Sequence, residues 1–210
     1  MPSFRQISAQ FPALVIDAAS SEVQVGLLTA NEGSRWYTSG DESGVAVFQG
    51  VKELGVDPGD IRSFVFCEGP GSVLGIRTVA MALRTWRIFQ PRPIFAYCGL
   101  ALVAHALGRT DASVIADARR DSWHLYRIGQ GLKRVPASDL AGELMMPEHF
   151  RHWSTLPDNV RVVPYSLSAL LPKVWEEDLL RATDSPDAFL HEEPSYVTWT
   201  PQIHRAPTAS

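Results

Sequence analysis

Residues 62–89 limit what this chain can fold into more than any other stretch. "RSFVFC" (62–67) is a short continuous apolar run, the pattern of a buried strand. "EGPGS" (68–72) then sets two glycines and a proline between that run and a second periodic one. In "IRTVAMALRTWRIF" (76–89), Ile76, Val79, Ala80, Leu83 and Trp86 or Arg87 fall on one stripe of an amphipathic helix, which the prolines of "QPRP" stop. A strand that turns through a tight corner into such a helix predicts an α/β chain with the helix laid on its own sheet.

The flanking segments extend that reading. "ALVID" (13–17), "VQVGLLT" (23–29) and "SRWYT" (34–38) are joined by the turn-forming "AASSE" and "NEGS", which predicts an antiparallel meander. "VAVFQGVKELG" (45–55) has helical spacing and ends at a glycine. "PIFAYC" (93–98) reads as a further strand and "LALVAHAL" (100–107) as a helix closed by Gly108. The pattern then restarts. "ASVIADA" (112–118) is an apolar run ending in an aspartate, as "ALVIDAA" is, and "SWHLYRIG" (122–129) and "LKRV" (132–135) come next around a Gly129–Gly131 turn. We therefore expect two related lobes of mixed sheet and helices, residues 1–100 and 101–210. Beyond 136 the chain is irregular, with helix expected over 166–183 and disorder at the "PTAS" end.

Charge and cysteine usage narrow the function. With 23 acidic against 19 basic residues and a net charge of −4, the chain as a whole is not a nucleic-acid grip, which needs a dense basic face. Cys67 and Cys98 each end an apolar run, the place of a small buried thiol in a reducing compartment. The opening residues resemble neither a signal peptide nor an anchor, and no window approaches the roughly 18 apolar residues of a spanning helix. The expectation is a cytoplasmic protein.

The glycine corner is the first candidate for chemistry. A phosphate-cradling loop needs G-x-x-x-x-G-K-[ST], but Gly69 and Gly75 enclose five residues, Gly71 and Gly75 three, and no lysine follows. A nucleophile elbow needs Gly-x-Ser-x-Gly, and Ser72 is flanked by Pro70 and Leu74. Ser72 suits a helix N-cap. Cys67 beside Glu68 is a nucleophile only if it is not a buried structural thiol. The free amides of the helix start favour an anion, yet the glycines equally permit a close approach of backbone to another element.

Other candidates carry two readings each. Asp17 ends a strand before a serine-rich turn, where a carboxylate can orient a metal-bound phosphate or close an Asx-turn. Asp117, with Arg119 and Arg120 in "ARRD", poses the same choice. His149 and His152 could share a helix face, but no third ligand stands at metal-binding spacing. His105 and His124 read as structural. The tryptophans, Trp199 among them, read as core and interface rather than as a stacking platform.

With these residues in hand, "VFCEGPGSVLGIRTVAMAL" resembles the G-P-G-S-F-T-G-[LV]-R segment of the TsaB (YeaZ) family, bacterial proteins of tRNA threonylcarbamoyladenosine synthesis. "LVIDAASSEVQVGLL" is similar to that family's opening I-D-T-S hairpin, "VIADARRDSWHLYRI" to its I-D-A-R segment and "EEPSYVTWTP" to its closing P-x-Y-x-R. The resemblance implies the actin-like ATPase (ASKHA, ribonuclease-H-like) fold. It also implies a non-catalytic scaffold that activates a TsaD-like metalloprotein, the transferase acting on adenosine 37 of tRNA, with a TsaE-like ATPase as third member. A homodimer is the other implied assembly. tRNA would be met only through the complex. No cofactor is expected, ATP or ADP at the partner interface being the one nucleotide role left open. No H-x-x-x-H metal motif is present, as suits the partner of such an enzyme.

The partner-binding residues implied by the resemblance are Gly69, Pro70, Gly71, Ser72 and Gly75 of the corner with Arg77, Val79, Ala82, Leu83 and Trp86 of the helix. On that reading Gly75→Leu or Ala82→Glu breaks partner contact in a folded chain. Four places depart from the family pattern. Ala18 replaces a hydroxyl, Val73 and Leu74 replace F-T, "SGDESGVAVFQGV" (39–51) replaces a histidine-containing helix start, and Thr198 replaces an arginine. The alternative is a nucleotide-dependent transferase or ATPase of the same fold, with Asp17 and Asp117 on magnesium and Ser72, Arg119 and the Gly69–Gly75 corner on phosphate. A glycoprotease reading finds no zinc-protease motif and no serine or cysteine triad.

Overall fold

A computed structural model describes residues 1–30 and 33–189. Trp199, Thr198, the "EEPSYVTWTP" segment and the "PTAS" end lie outside the described residues. A helical turn, α1 (Phe4–Ile7), capped by Ser3, precedes the first meander, β1 (Ala13–Asp17), β2 (Val23–Thr29) and β3 (Gly33–Ser39). Then come α2 (Ser43–Glu53), β4 (Ser63–Gly69), α3 (Val73–Phe89), β5 (Ile94–Cys98) and α4 (Gly99–Leu107). The second meander is β6 (Ala112–Asp117), β7 (Ser122–Arg127) and β8 (Gly131–Pro136), with β9 (Glu143–Pro147) and β10 (Val160–Val163) after it.

The restart in the sequence is a duplication in the fold. The first sheet runs β11-β5-β4-β1-β2-β3, where β11 is Arg181–Ala182, and the second runs β10-β9-β6-β7-β8. In each, an antiparallel meander continues through parallel neighbours of its first strand, β4 beside β1 and β9 beside β6. β1 and β4 lie in the middle of the first sheet, which is why they read as unbroken apolar runs. α2 and α3 pack side by side on one face of the first sheet, while α4 contacts strands of both sheets. Gly108 closes α4 in the left-handed conformation at φ 64°.

Two local expectations change. The helix expected over 166–183 is only α5 (Leu167–Leu170), continued by a 3-10 turn over Leu171–Val174. Pro172 has no amide hydrogen to carry an α-helix through that point. His149 and His152 share no helix face, because His149 has φ 66° in a turn. After α5 the chain leaves the second half and adds β11 to the edge of the first sheet, antiparallel to β5. One hydrophobic core runs through both halves, and a smaller cluster forms around Trp123.

Candidate functional site

The glycine corner packs against its own chain. Ser72 caps α3, its Oγ accepting the Gly75 amide at 3.3 Å, while its own amide donates to the Ala19 carbonyl at 2.7 Å. A Cβ on Gly71 would stand 2.3 Å from the Ala19 carbonyl oxygen, and one on Gly75 would stand 2.2 Å from that of Ala18. The glycines therefore let the start of α3 press onto the turn after β1.

Asp17 ends β1 and Asp117 ends β6, equivalent positions of the duplicated lobes, and each Oδ1 accepts the amide two residues on, Ala19 and Arg119. Both are Asx-turns. Their second oxygens diverge. Asp17 is fully buried, and its Oδ2 accepts the hydroxyls of Tyr97 and Tyr165, each at 2.6 Å. Burial, then the neighbouring carboxylate, pushes both phenols well above the ordinary tyrosine value. A magnesium ligand must face a ligand-accessible cleft, so the structure turns Asp17 from candidate metal ligand into core. Cys67 is buried too, and that burial pushes its thiol well up, the environment of a structural thiol.

Asp117 stays half-buried at an open cleft. Its Oδ2 accepts the amides of Trp153 and Ser154, both at 2.6 Å. Burial pushes its carboxyl up, but the amides of Ser154, Trp153 and Arg119 outweigh that and hold it below the ordinary carboxylate value. Arg119, Arg120 and Asp121 adopt φ of 62°, 52° and 51°. The cleft, of about 540 Å³, lies between the glycine corner and the end of β6, lined by Ser20, Ser72, Asp117, Arg119, His124, Arg151 and Trp153 among others. The structure thus brings Ser72, Asp117 and Arg119 together and leaves Asp17 outside.

The helix expected to meet a partner divides by face. Val79 and Leu83 are buried, as is Gly75 on the turn after β1, and so are Gly69 and Pro70 in the corner, so none is surface. The apolar stripe in the sequence is the core face. The opposite face carries a second row, Leu74, Met81 and Ile88, which are 77%, 56% and 81% exposed. Phe48 and Val45 of α2 stand exposed beside it. Between the helices lies a groove of about 410 Å³, lined by Phe48, Leu74, Arg77, Met81, Ala82 and Trp86. Arg77 and Trp86 therefore keep a place at a surface, whereas Ala82 borders the groove but is itself buried. The seven-residue spacing of 74, 81 and 88 is the signal that marks this face. Along another flank of α3, Arg84 donates to the Pro186 carbonyl and Arg87 to that of Asp184 at 2.8 Å.

The sequence matches no family model and no curated protein. Solved structures do match. YeaZ from Pseudomonas aeruginosa aligns with a TM-score of 0.55 at 18% identity, over 77% of this chain and 89% of that one. An uncharacterized protein with similarity to peptidase YeaZ, also from Pseudomonas aeruginosa, aligns with a TM-score of 0.56 at 18% identity, over 88% of this chain and 98% of that one. At that identity the likeness carries the fold. It is the actin-like class, with two ribonuclease-H-like lobes of mixed sheet and helices.

Among the described residues no group of three or more His, Cys, Asp or Glu side chains could hold a metal ion. No helix among them is long and apolar enough to cross a membrane.

Proposed function

We propose that this chain is a non-catalytic scaffold whose α2/α3 face docks a TsaD-like metalloprotein, in the synthesis of threonylcarbamoyladenosine at position 37 of tRNA. The observation that carries the reading is the exposed apolar row Leu74–Met81–Ile88 beside Phe48, on a chain built like YeaZ. An isolated surface seldom exposes so contiguous an apolar face without a partner for it. The closed glycine corner and the buried Asp17 support the same reading, since both positions are spent on internal contacts. A TsaE-like ATPase joins through the complex in the cytoplasm, tRNA is met only there, and any ATP or ADP sits at the partner interface. A second copy on the same face is the competing assembly.

The test is a pull-down of the tagged chain from its own cell lysate, with mass spectrometry of the proteins recovered with it. Recovery of a TsaD-like metalloprotein by the native chain, and its loss with a folded Met81→Glu variant, supports the scaffold. Equal recovery by Met81→Glu removes this face from the proposal. The alternative enzyme keeps one open carboxylate, Asp117, already bound to three amides. Magnesium-dependent ATP binding lost with Asp117→Ala would favour it.

A further inference from the structure

Among the described residues, β11 and β3 end the first sheet, and β10 and β8 end the second. Three of these edges are blunted. β11 is 2 residues long. β8 carries exposed Lys133 and closes on Pro136, and the 4 residues of β10 set exposed Arg161 between Pro157 and Pro164. Shortness, charge and proline are what keep an edge from pairing with another chain. β3 is neither short nor interrupted. It runs 7 residues without a proline and pairs with β2 in unbroken register from Gly33 to Ser39. Among the described residues no strand pairs with its other side. Its one charge is Arg35, and Trp36, Tyr37 and Thr38 are strong strand formers. Rings on both faces hold it in place. The Trp36 ring lies over Gly26, where a Cβ would stand 2.3 Å from it, and the Tyr37 ring lies against Gly50 of α2, where a Cβ would stand 2.7 Å away. The edge is ordered and open.

An open edge accepts another strand through its main chain, and the side chains then select which one. The charges of β3 suit a second copy of itself. Arg35 stands near its start, and exposed Asp41 and Glu42 follow its end. An antiparallel copy lays that basic start beside the acidic end, whereas a parallel copy lays Arg35 against Arg35. Overlap of the whole strand with itself puts Trp36 at the two-fold centre. Arg35 then faces Tyr37 of the second copy on the α2 side, and Ser34 faces Thr38 on the other side. A cation meets an aromatic ring, hydroxyl meets hydroxyl, and no like charges oppose. We propose that the chain self-associates through β3, its 6-stranded sheet continuing across a two-fold axis into that of a second copy. About six to eight main-chain hydrogen bonds close such a pairing. α2, packed on β2 and β3, separates this edge from the α2/α3 groove, so the contact is distinct from the docking face.

The experiment follows the mass of the full chain by sedimentation velocity over a concentration series, where the native chain is expected to pass from monomer to dimer. Ser34→Lys with Thr38→Lys sets lysine opposite lysine at both ends of the pairing and is expected to raise the dimer dissociation constant about tenfold or more. Ser34→Lys with Thr38→Glu alters the same exposed positions but sets lysine opposite glutamate, and is expected to hold the constant near the native value. Both variants give up the bond from the Trp36 indole to the Ser34 hydroxyl alike, and matching thermal midpoints show that both fold. A native chain that stays monomeric at every concentration overturns the proposal. So does a dimer that the double-lysine variant leaves untouched, or a lysine–glutamate variant as weak as the double-lysine one. Met81→Glu is expected to leave the dimer intact, and loss of the dimer there places the second copy on α2 and α3 instead. The lysate pull-down with the double-lysine variant separates this contact from the docking face, because partner recovery is expected unchanged.

Discussion

The Tyr165 hydroxyl donates to Asp17 Oδ2 at 2.6 Å, across 148 positions of chain, and so ties the first lobe to the segment after β10. Gln24, opposite Asp17 in the β1–β2 register, reinforces the tie. Its side-chain amide donates to the Tyr165 carbonyl at 3.0 Å and its Oε1 accepts the Leu167 amide at 2.7 Å. Among the described residues no cation pairs with Asp17, so hydrogen bonds alone offset the burial of its carboxylate.

That dependence makes the knot testable. Tyr165→Phe leaves Asp17 with the Ala19 amide and the Tyr97 hydroxyl and is expected to destabilise the chain by about 1–3 kcal/mol. Tyr97→Phe should act alike, and the double variant should lose more than the sum, since Asp17 then has only one donor. Denaturant midpoints at constant slope read all three. Additive losses would mean the two hydroxyls act independently.

Gly75 and Leu74 separate fold from surface within two neighbouring residues. Gly75→Leu drives a side chain into the Ala18 carbonyl and is expected to cost at least about 2 kcal/mol, so it disrupts folding rather than partner contact alone. Ala82→Glu meets a similar obstacle, because Ala82 is 5% exposed. Leu74→Glu, on the open face, should shift stability by no more than about 0.5 kcal/mol while abolishing partner recovery. Thermal melts of Gly75→Leu and Leu74→Glu beside the pull-down distinguish these roles.

Asp117 predicts a pH dependence with a definite sign. Its folded carboxyl titrates below the unfolded value of about 3.9, so its contribution is present above that value and is lost as pH falls through the lowered folded one. The native chain should therefore exceed Asp117→Asn in stability at pH 7, by an amount that shrinks progressively below about pH 4. A gap that widens on acidification would contradict the amide-bound carboxylate.

The thiols should be slow. Burial pushes Cys98 up to about 11, against weaker opposition from the Ala101 and Leu100 amides, and pushes Cys67 well up. At pH 8 only about one Cys98 in a thousand is thiolate. Alkylation of the native chain is expected to lag far behind that of the unfolded chain at both positions. Rapid labelling of Cys67 in the native state would reopen its candidacy as a nucleophile.

Much of the fold is legible because its signals are local. Apolar runs bounded by turns locate β1, β2, β4 and β5, the 3.6-residue stripe locates α3, and the recurrence of strand, aspartate and hairpin exposes the duplicated lobe. Pro172 is the local exception, a helix breaker inside an otherwise apolar stretch. The site is legible in part. Ser72 as cap, Asp117 and Arg119 fall where their residue types point, whereas Trp153 escapes a sequence reading because its partner Arg119 lies 34 positions away.

By itself, then, the sequence determined which segments become strands and helices, where they turn, and that the pattern occurs twice, since periodicity and turn chemistry act between near neighbours. Only the tertiary structure decided what two equivalent aspartates do. Asp17 meets two tyrosines from remote segments and becomes core, whereas Asp117 meets backbone amides at an open rim and builds a cleft. The same holds for α3, where the sequence marks two apolar rows and only packing says which one the sheet takes. Burial is set by elements distant in the chain, and no local pattern encodes which of them arrive.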